Sequence, residues 1–170
     1  MQQQQFINII NPFKDKLFRF AKRMLASTEE AEDATQEVLV RLWNKKEVLE
    51  DYKSVEALAM TMTKNYCLDQ LKSKRASNLQ LVHSNYSDVT NLSKQLEDSD
   101  SLNWVSKIID ALPEQQKLII QMRDVDEFEF NEIAEVLGMN ETAVRVALSR
   151  ARKTIREKLI AKHNYGIKTS

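Results

Sequence analysis

The chain has 170 residues, of which 42% are hydrophobic and 29% charged, so one packed domain or two small ones are feasible. Two glycines and two prolines are too few for turn-rich β structure and favour helices. The 25 basic and 25 acidic residues cancel, so the total charge does not indicate a nucleic-acid partner. A single cysteine excludes an internal disulfide, and no apolar run approaches the roughly 18 residues of a membrane span. We expect a cytoplasmic protein without membrane insertion.

The N-terminal part of the chain predicts helices. Residues 6–46 suggest two of them, because apolar side chains recur at helical spacing until Ser27 and Thr28 interrupt the pattern and can cap the second helix. Residues 55–74 predict a further helix with a basic end. The Gln-rich residues 1–5 are expected to be disordered.

A change of composition divides the chain. Residues 76–101 are rich in Ser, Asn and Asp and have no sustained apolar period, which predicts a flexible linker. Helical periodicity returns at Leu102 and is interrupted at Pro113, which suits the first turn of a new helix. We therefore predict an all-α fold with two small helical domains, residues 6–75 and 102–163, joined by that linker.

Residues 132–155, EIAEVLGMNETAVRVALSRARKTI, predict two helices joined by a tight turn. Gly138 permits a sharp turn, and Asn140 can cap the second helix. This is the outline of a helix-turn-helix, whose second helix lies in the major groove in DNA-binding proteins.

Charge supports DNA binding by this second helix. Residues 141–162 carry seven Lys or Arg against two Glu, whereas residues 124–135 carry six acids and no base. The apolar positions of the helix fall in one arc, so basic and hydroxyl-bearing residues face outward, where they can neutralise phosphates. Two points oppose this interpretation: basic residues near a helix end also complement the dipole, and Glu141 would repel a phosphate. The turn motif ahead of the helix favours DNA binding.

A second surface lies in residues 31–43. On the side opposite its apolar stripe, Val40 is surrounded by Asp33, Gln36 and Glu37. An apolar residue ringed by polar ones can be a small docking surface, although single exposed valines are also common on ordinary surfaces. Taken alone, these residues favour the ordinary surface.

No set of residues predicts catalysis or metal binding. His83 and His163 stand alone, and Cys67 has no His or Cys at ligand spacing. There is no Gly-rich phosphate loop and no nucleophile elbow. We expect no metal, no cofactor, no small-molecule substrate and no enzymatic activity.

Taken together, these segments resemble the extracytoplasmic-function sigma factors of bacterial RNA polymerase. The resemblance covers nearly the whole chain after the Gln-rich start. It rests on five sequence blocks in family order: AEDATQEVLVRLW (31–43), TKNYCLDQLKSKR (63–75), ALPEQQK (111–117), EFNEIAEVLG (129–138) and VRVALSRAR (144–152).

The resemblance implies a promoter-specificity subunit that binds core RNA polymerase through the β′ clamp helices and the β subunit. It also implies promoter DNA as a partner and an anti-sigma factor as a further candidate. The face that would dock on the clamp helices comprises Asp33, Gln36, Glu37, Val40 and Arg41. The implied contacts to the −10 element are Tyr52, Lys53, Ser54, Lys64 and Asn65. Those to the −35 element are Arg123, Thr142, Arg145, Ser149, Arg150 and Arg152.

The chain departs from the family pattern at positions that bear on DNA recognition. Val146 and Ala147 stand where many members carry Ser and Arg. Leu58 and Ala59 replace a frequent aromatic-Leu pair, and Glu127 stands where a glycine is common.

Two other functions are compatible with the helix-turn-helix. A stand-alone regulator would bind operator DNA as a dimer without polymerase, but it leaves residues 31–43 unexplained. A pure interaction module would bind polymerase and no DNA. If the chain is a sigma factor, we expect the two domains of the free protein to pack together and mask DNA-binding surfaces. The oppositely charged segments 124–135 and 141–162 could contribute to that attraction.

Overall fold

The computed structural model describes the backbone of residues 1–81 and 101–168 and the side chains of residues 1–77 and 103–164. Within these ranges the chain is helical and contains no strand, so the predicted all-α class is confirmed. A short 3-10 helix, Lys46–Asp51, precedes α4, and a π-helical turn, Gln121–Val125, follows α6. The α-helices are α1 (Gln3–Ile10), α2 (Lys14–Leu25), α3 (Thr28–Asn44), α4 (Val55–Leu81), α5 (Ser101–Asp110), α6 (Glu114–Ile120), α7 (Phe130–Leu137) and α8 (Glu141–Lys168).

The prediction of disorder in residues 1–5 is wrong, because α1 begins at Gln3. The side chain of Gln5 accepts a hydrogen bond from the backbone N–H of Gln2 at 2.9 Å and closes the first turn. Phe6 then packs edge-to-face on Trp43, with 5.1 Å between ring centroids. Three helices rather than two therefore precede Lys46.

The predicted linker, residues 76–101, begins too early. Helix α4 continues through Leu81, five residues beyond the predicted start of the linker. Helix α5 begins at Ser101, one residue before the predicted boundary, and α8 reaches Lys168, beyond the predicted end at 163. The rest of the predicted linker, residues 82–100, lies outside the described residues.

The helix-turn-helix is confirmed. Helix α7 ends at Gly138, whose φ of 66° is the left-handed conformation that a glycine adopts without strain. The side chain of Asn140 accepts a hydrogen bond from the backbone N–H of Ala143 at 2.7 Å and caps α8. The same device starts α3, where Ser27 accepts from the N–H of Glu30 at 3.3 Å.

Two sets of buried side chains hold the helices together. We call α1–α4 the N-terminal unit and α5–α8 the C-terminal unit. The first unit packs around Leu17, Phe20 and Leu42, and the second around Ile119 and Ile133, all at most 1% exposed. Their buried residues merge into one continuous apolar cluster, because α4 packs on α7 and α2 on α6. The two units thus lie in direct contact.

The single cysteine belongs to this core. Cys67 on α4 is 0% exposed, and burial raises its pKa from 9.0 to about 12. The thiol therefore stays protonated at neutral pH and has no access to reagents.

We predict that a disulfide reagent at pH 8 labels the native protein at least about 100-fold more slowly than the protein unfolded in denaturant. Because the folded pKa is raised, ionisation of Cys67 opposes folding only above pH 9.0, and stability should fall as pH rises from there towards about 12. Rapid labelling of the native protein, followed by colorimetry, would contradict the buried position.

Candidate functional site

Basic residues of α2 form the polar part of the contact between the two units. Arg23 donates from Nε to Oε1 of Gln121 at 3.0 Å, and from Nη1 to Oγ of Ser106 at 3.0 Å and to Oδ1 of Asp110 at 2.9 Å. One turn earlier on α2, Arg19 donates from Nε to Oδ1 of Asp126 at 2.7 Å. Two arginines of one helix thus hold α5 and the turn after α6 against the N-terminal unit.

Asp126 is the buried anion of this contact. Its side chain is 0% exposed, and its second oxygen, Oδ2, accepts from Nε2 of Gln121 at 3.1 Å. A buried carboxylate needs such partners, because an unpaired charge in a protein interior is strongly destabilising. The N–H of Asp126 donates back to the carbonyl of Gln121 at 3.0 Å and closes the π-helical turn. The turn therefore presents Asp126 directly to α2.

A second polar contact joins α4 to α7. The ammonium of Lys64 donates to the backbone carbonyl of Val136 at 2.7 Å. Lys64 is one of the residues expected to contact the −10 element, so in this arrangement its charge is engaged by the C-terminal unit. Its neighbour Asn65 is exposed.

The remaining residues expected at the −10 element lie in the turn just before α4. Tyr52 is 40% exposed, and Lys53 is exposed beside it. Ser54 caps α4, because its hydroxyl accepts a hydrogen bond from the backbone N–H of Ala57 at 3.1 Å. Lys64 follows about 14 Å further along the helix axis. The structure thus places three of these residues in the turn before α4 and the other two on α4 itself, rather than in one cluster.

The expected polymerase-docking face is continuous on α3. Val40 is 55% exposed, while the opposite side of the helix is buried against α2 and α4. Arg41 donates to Oε1 of Glu37 at 2.8 Å, and its guanidinium lies 5.5 Å from the centroid of the Tyr66 ring. Asp33 and Gln36 are exposed on the preceding turns. The structure brings all five predicted residues to the surface of one helix.

The residues expected at the −35 element fall into two groups. Thr142, Ser149 and Arg150 are exposed on α8, and their side chains have no hydrogen bond or ion pair to any other described residue. Arg123, Arg145 and Arg152 are instead held by other side chains of the C-terminal unit. The first group is free to meet a ligand, and the second is held in place before any ligand binds.

Phe130 organises two of the held arginines. The guanidinium carbons of Arg123 and Arg145 lie 4.6 and 4.4 Å from the centroid of its ring. Arg123 also donates to the carbonyl of Phe128 at 2.8 Å, and Arg145 lies 3.7 Å from Glu141. Sequence reasoning missed Phe130, because one aromatic residue at the start of a helix carries no signal of its arginine partners.

Arg152 is held by Asp124. Its Nε lies 3.1 Å from Oδ2 and its Nη2 bonds to Oδ1, so the pair is bidentate. That hydrogen bonding raises the pKa of Arg152 above its ordinary value. This pair does join the acidic segment to the basic one, but both residues belong to the C-terminal unit. The expectation that these two segments attract the units to each other is therefore wrong, since cations of α2 and α4 make that contact.

The described residues contain no group of three His, Cys, Asp or Glu side chains placed to hold a metal ion. In the same ranges no helix is both long and apolar enough to span a bilayer.

Comparison with known proteins assigns the two units. The family model of Sigma-70 region 2 matches residues 9–77, and that of Sigma-70, region 4 matches residues 102–155. The chain belongs to the sigma-70 family. It is an alternative sigma factor of the extracytoplasmic-function group, which binds core RNA polymerase and directs promoter-specific initiation. A stand-alone regulator would account for region 4 and leave region 2 without a role.

Relatives of the sigma factor are distant in sequence but similar along the chain. The ECF RNA polymerase sigma factor SigW of Bacillus subtilis is 23% identical over 168 residues, which cover 92% of this chain and 90% of SigW. The fold matches RpoE of Bartonella quintana, solved with the anti-sigma factor NepR, with a TM-score of 0.74 at 22% identity over 92% of this chain and 97% of that one. It also matches CnrH, solved with the cytosolic domain of CnrY, with a TM-score of 0.67 at 20% identity over 94% and 90%.

We predict that replacing Arg19 and Arg23 together with Gln separates the two units of the sigma factor. The variant leaves Asp126 buried without its charged partner, which should weaken the contact by about 1–2 kcal/mol, less than for a fully buried pair because Arg19 is 45% exposed. Small-angle X-ray scattering should then show a larger radius of gyration.

The matched control is Lys14→Gln, which removes a charge from an exposed position of the same helix. Identical scattering curves for the double variant, the control and the wild type would show that the two arginines do not hold the units together.

Proposed function

We propose that the two units divide the work of promoter recognition. Residues 6–75 would form the domain that docks on core polymerase and opens the −10 element, and residues 102–163 the domain that reads the −35 element. The observation that supports this division is that each unit has one exposed helix face outside the contact between the units. The face lies on α3 in the N-terminal unit and on α8 in the C-terminal unit. The sigma factor would work in the cytoplasm, where its polymerase is, and would have no catalytic activity of its own.

The exposed face of α3 would bind the β′ clamp helices. Val40 supplies an apolar contact at the centre, and Asp33, Gln36, Glu37 and Arg41 supply a polar rim, which is the usual layout of a small interface. The bond between Arg41 and Glu37 orders two of these side chains before docking. The hydrogen bonds and ion pairs described above between the two units involve other residues than these five.

We expect Glu37→Lys with Val40→Asp to abolish co-elution with core RNA polymerase in gel filtration, because the change reverses one rim charge and places a charge at the apolar centre. The control is Glu157→Lys with Ile160→Asp, which makes the same two changes three residues apart on the exposed side of α8, where Ile160 is 53% exposed. The control should co-elute like the wild type. Co-elution of the α3 variant at wild-type level would refute the docking face.

The start of α4 would meet the −10 element. Tyr52 offers an exposed ring on which an unpaired base can stack. Lys53 beside it, and Lys64 and Asn65 on α4, offer charge and hydrogen bonds. Ser54 would act through the cap that sets the direction of α4. Lys64 becomes available only when its bond to the Val136 carbonyl is broken.

Helix α8 would enter the major groove at the −35 element. Arg150 has no partner among the described residues and can fork onto a guanine edge, while Thr142 and Ser149 can donate to bases or phosphates. Arg123 and Arg145 would meet the backbone in the orientation that Phe130 gives them. Arg152 would reach a phosphate after release from Asp124.

We expect Arg145→Ala with Arg150→Ala to weaken binding of the holoenzyme to promoter DNA by about 2–5 kcal/mol. The base contact of Arg150 accounts for about 1–3 kcal/mol of this loss, and the phosphate contact of Arg145 for the rest. Arg156→Ala removes a charge from the same helix outside the proposed contacts and is the control, measured by fluorescence anisotropy at one salt concentration. Equal affinities for all three proteins would remove α8 from promoter recognition and favour a module that binds polymerase alone.

The closed arrangement would be a resting state of the free sigma factor. It engages Lys64 and joins α2 to the C-terminal unit, so the DNA-binding residues cannot spread along a promoter until the units separate. Two of the matching structures, RpoE and CnrH, were solved with a partner protein. An anti-sigma factor that favours the closed state is therefore a candidate partner here as well.

A further inference from the structure

The outward face of α8 carries one apolar side chain, Val146, among the polar ones described so far. Val146 is 43% exposed, whereas Val144 and Leu148 beside it in sequence are at most 3% exposed. A lone exposed valine is ordinary on a protein surface. Its position is what distinguishes this one, because it lies between Thr142 and Arg150 at intervals of four residues, which places the three in one strip along the helix.

The strip borders a hollow between the start of α8 and the start of α6. Its apolar part is made by Val146, Ala143 and Met139, and its polar part by Arg150 and Gln115. The Gln115 amide donates to the sulfur of Met139 at 3.1 Å, so the wall opposite Val146 is ordered. A polar ligand that carries a small apolar group would match this mixture.

The major groove presents such a group. The C5-methyl of thymine is the apolar group on a base edge there, while the other positions offer hydrogen-bond donors and acceptors. Valine makes no hydrogen bond, so a base edge with a donor or acceptor against it would lose its bond to water without replacement. Val146 therefore discriminates in favour of a methyl group and against a polar edge.

We infer that Val146 is a specificity-determining residue of the sigma factor and that it reads the methyl group of a thymine in the −35 element. The inference rests on the proposed entry of α8 into the major groove. Arg150, one turn further along, supplies guanidinium donors beside the methyl contact, so a guanine is expected next to that thymine on either strand.

The test replaces thymine by deoxyuridine, which lacks only the methyl group. A binding sequence is first selected from random DNA with the reconstituted holoenzyme, and each thymine of its −35 element is then replaced in turn. For wild type, one replacement should weaken binding about three- to fivefold, as expected for the loss of one buried methyl. For Val146→Ala the same replacement should change the affinity by less than about 1.5-fold.

The control is Ile160→Ala, which shortens another exposed apolar side chain of α8 and should retain the wild-type response to deoxyuridine. The inference is overturned if no thymine responds in the wild type, or if Val146→Ala responds as the wild type does. These results differ from failure of the proposed function. In that case Arg145→Ala with Arg150→Ala would leave promoter affinity unchanged, and the selection would yield no sequence dependent on α8.

Discussion

The arrangement of the two units depends on a buried carboxylate that the turn after α6 presents to α2. Asp126 needs a cation because its side chain has no access to water, and Arg19 supplies one while Gln121 satisfies the second oxygen. Gln121 in turn accepts from Arg23, which also reaches α5. One requirement for charge compensation thus orders three helices. The network is polar, so it gives the contact a defined geometry that apolar packing alone would leave adjustable.

Around α8, as around Asp126, a single side chain fixes the positions of several others. Phe130 orients Arg123 and Arg145, so two long side chains are ordered before a ligand arrives, whereas Arg152 is bound to Asp124. Ordering in advance lowers the entropy lost on binding. Arg150 and Val146 are left unrestrained, and these two lie on the strip that faces outward. The restrained cations suit the uniform DNA backbone, whereas the unrestrained strip suits the bases, whose edges differ.

Much of this fold follows from local rules that a single sequence displays. Gly138 and Asn140 predict the helix-turn-helix correctly, because the turn and the helix cap depend on residues only a few positions apart. The helical start at residues 3–5 could not be foreseen, since three glutamines have no apolar period and Trp43, on which Phe6 of the same helix packs, is distant in sequence. The contact between the units was expected, but its residues were not. Pairing of Arg19 with Asp126 spans 107 positions, whereas the charge count compared segments 124–135 and 141–162, which belong to the same unit and contain the pair Asp124–Arg152.

The positive φ of 59° at Glu127 explains the glycine that is common at this position in the family, since only glycine adopts that conformation without strain.

The two proposed binding surfaces differ in accessibility, because Val40 on α3 is exposed whereas Lys64 on α4 is bonded to the C-terminal unit. On the proposed roles, a partner that docks on Val40 would find its surface exposed, whereas DNA at Lys64 would first have to displace the Val136 carbonyl. The free energy of opening would then be subtracted from the apparent affinity for DNA but not from that for polymerase. The free chain would therefore bind polymerase in preference to DNA, and stray DNA elsewhere in the genome would compete poorly for it.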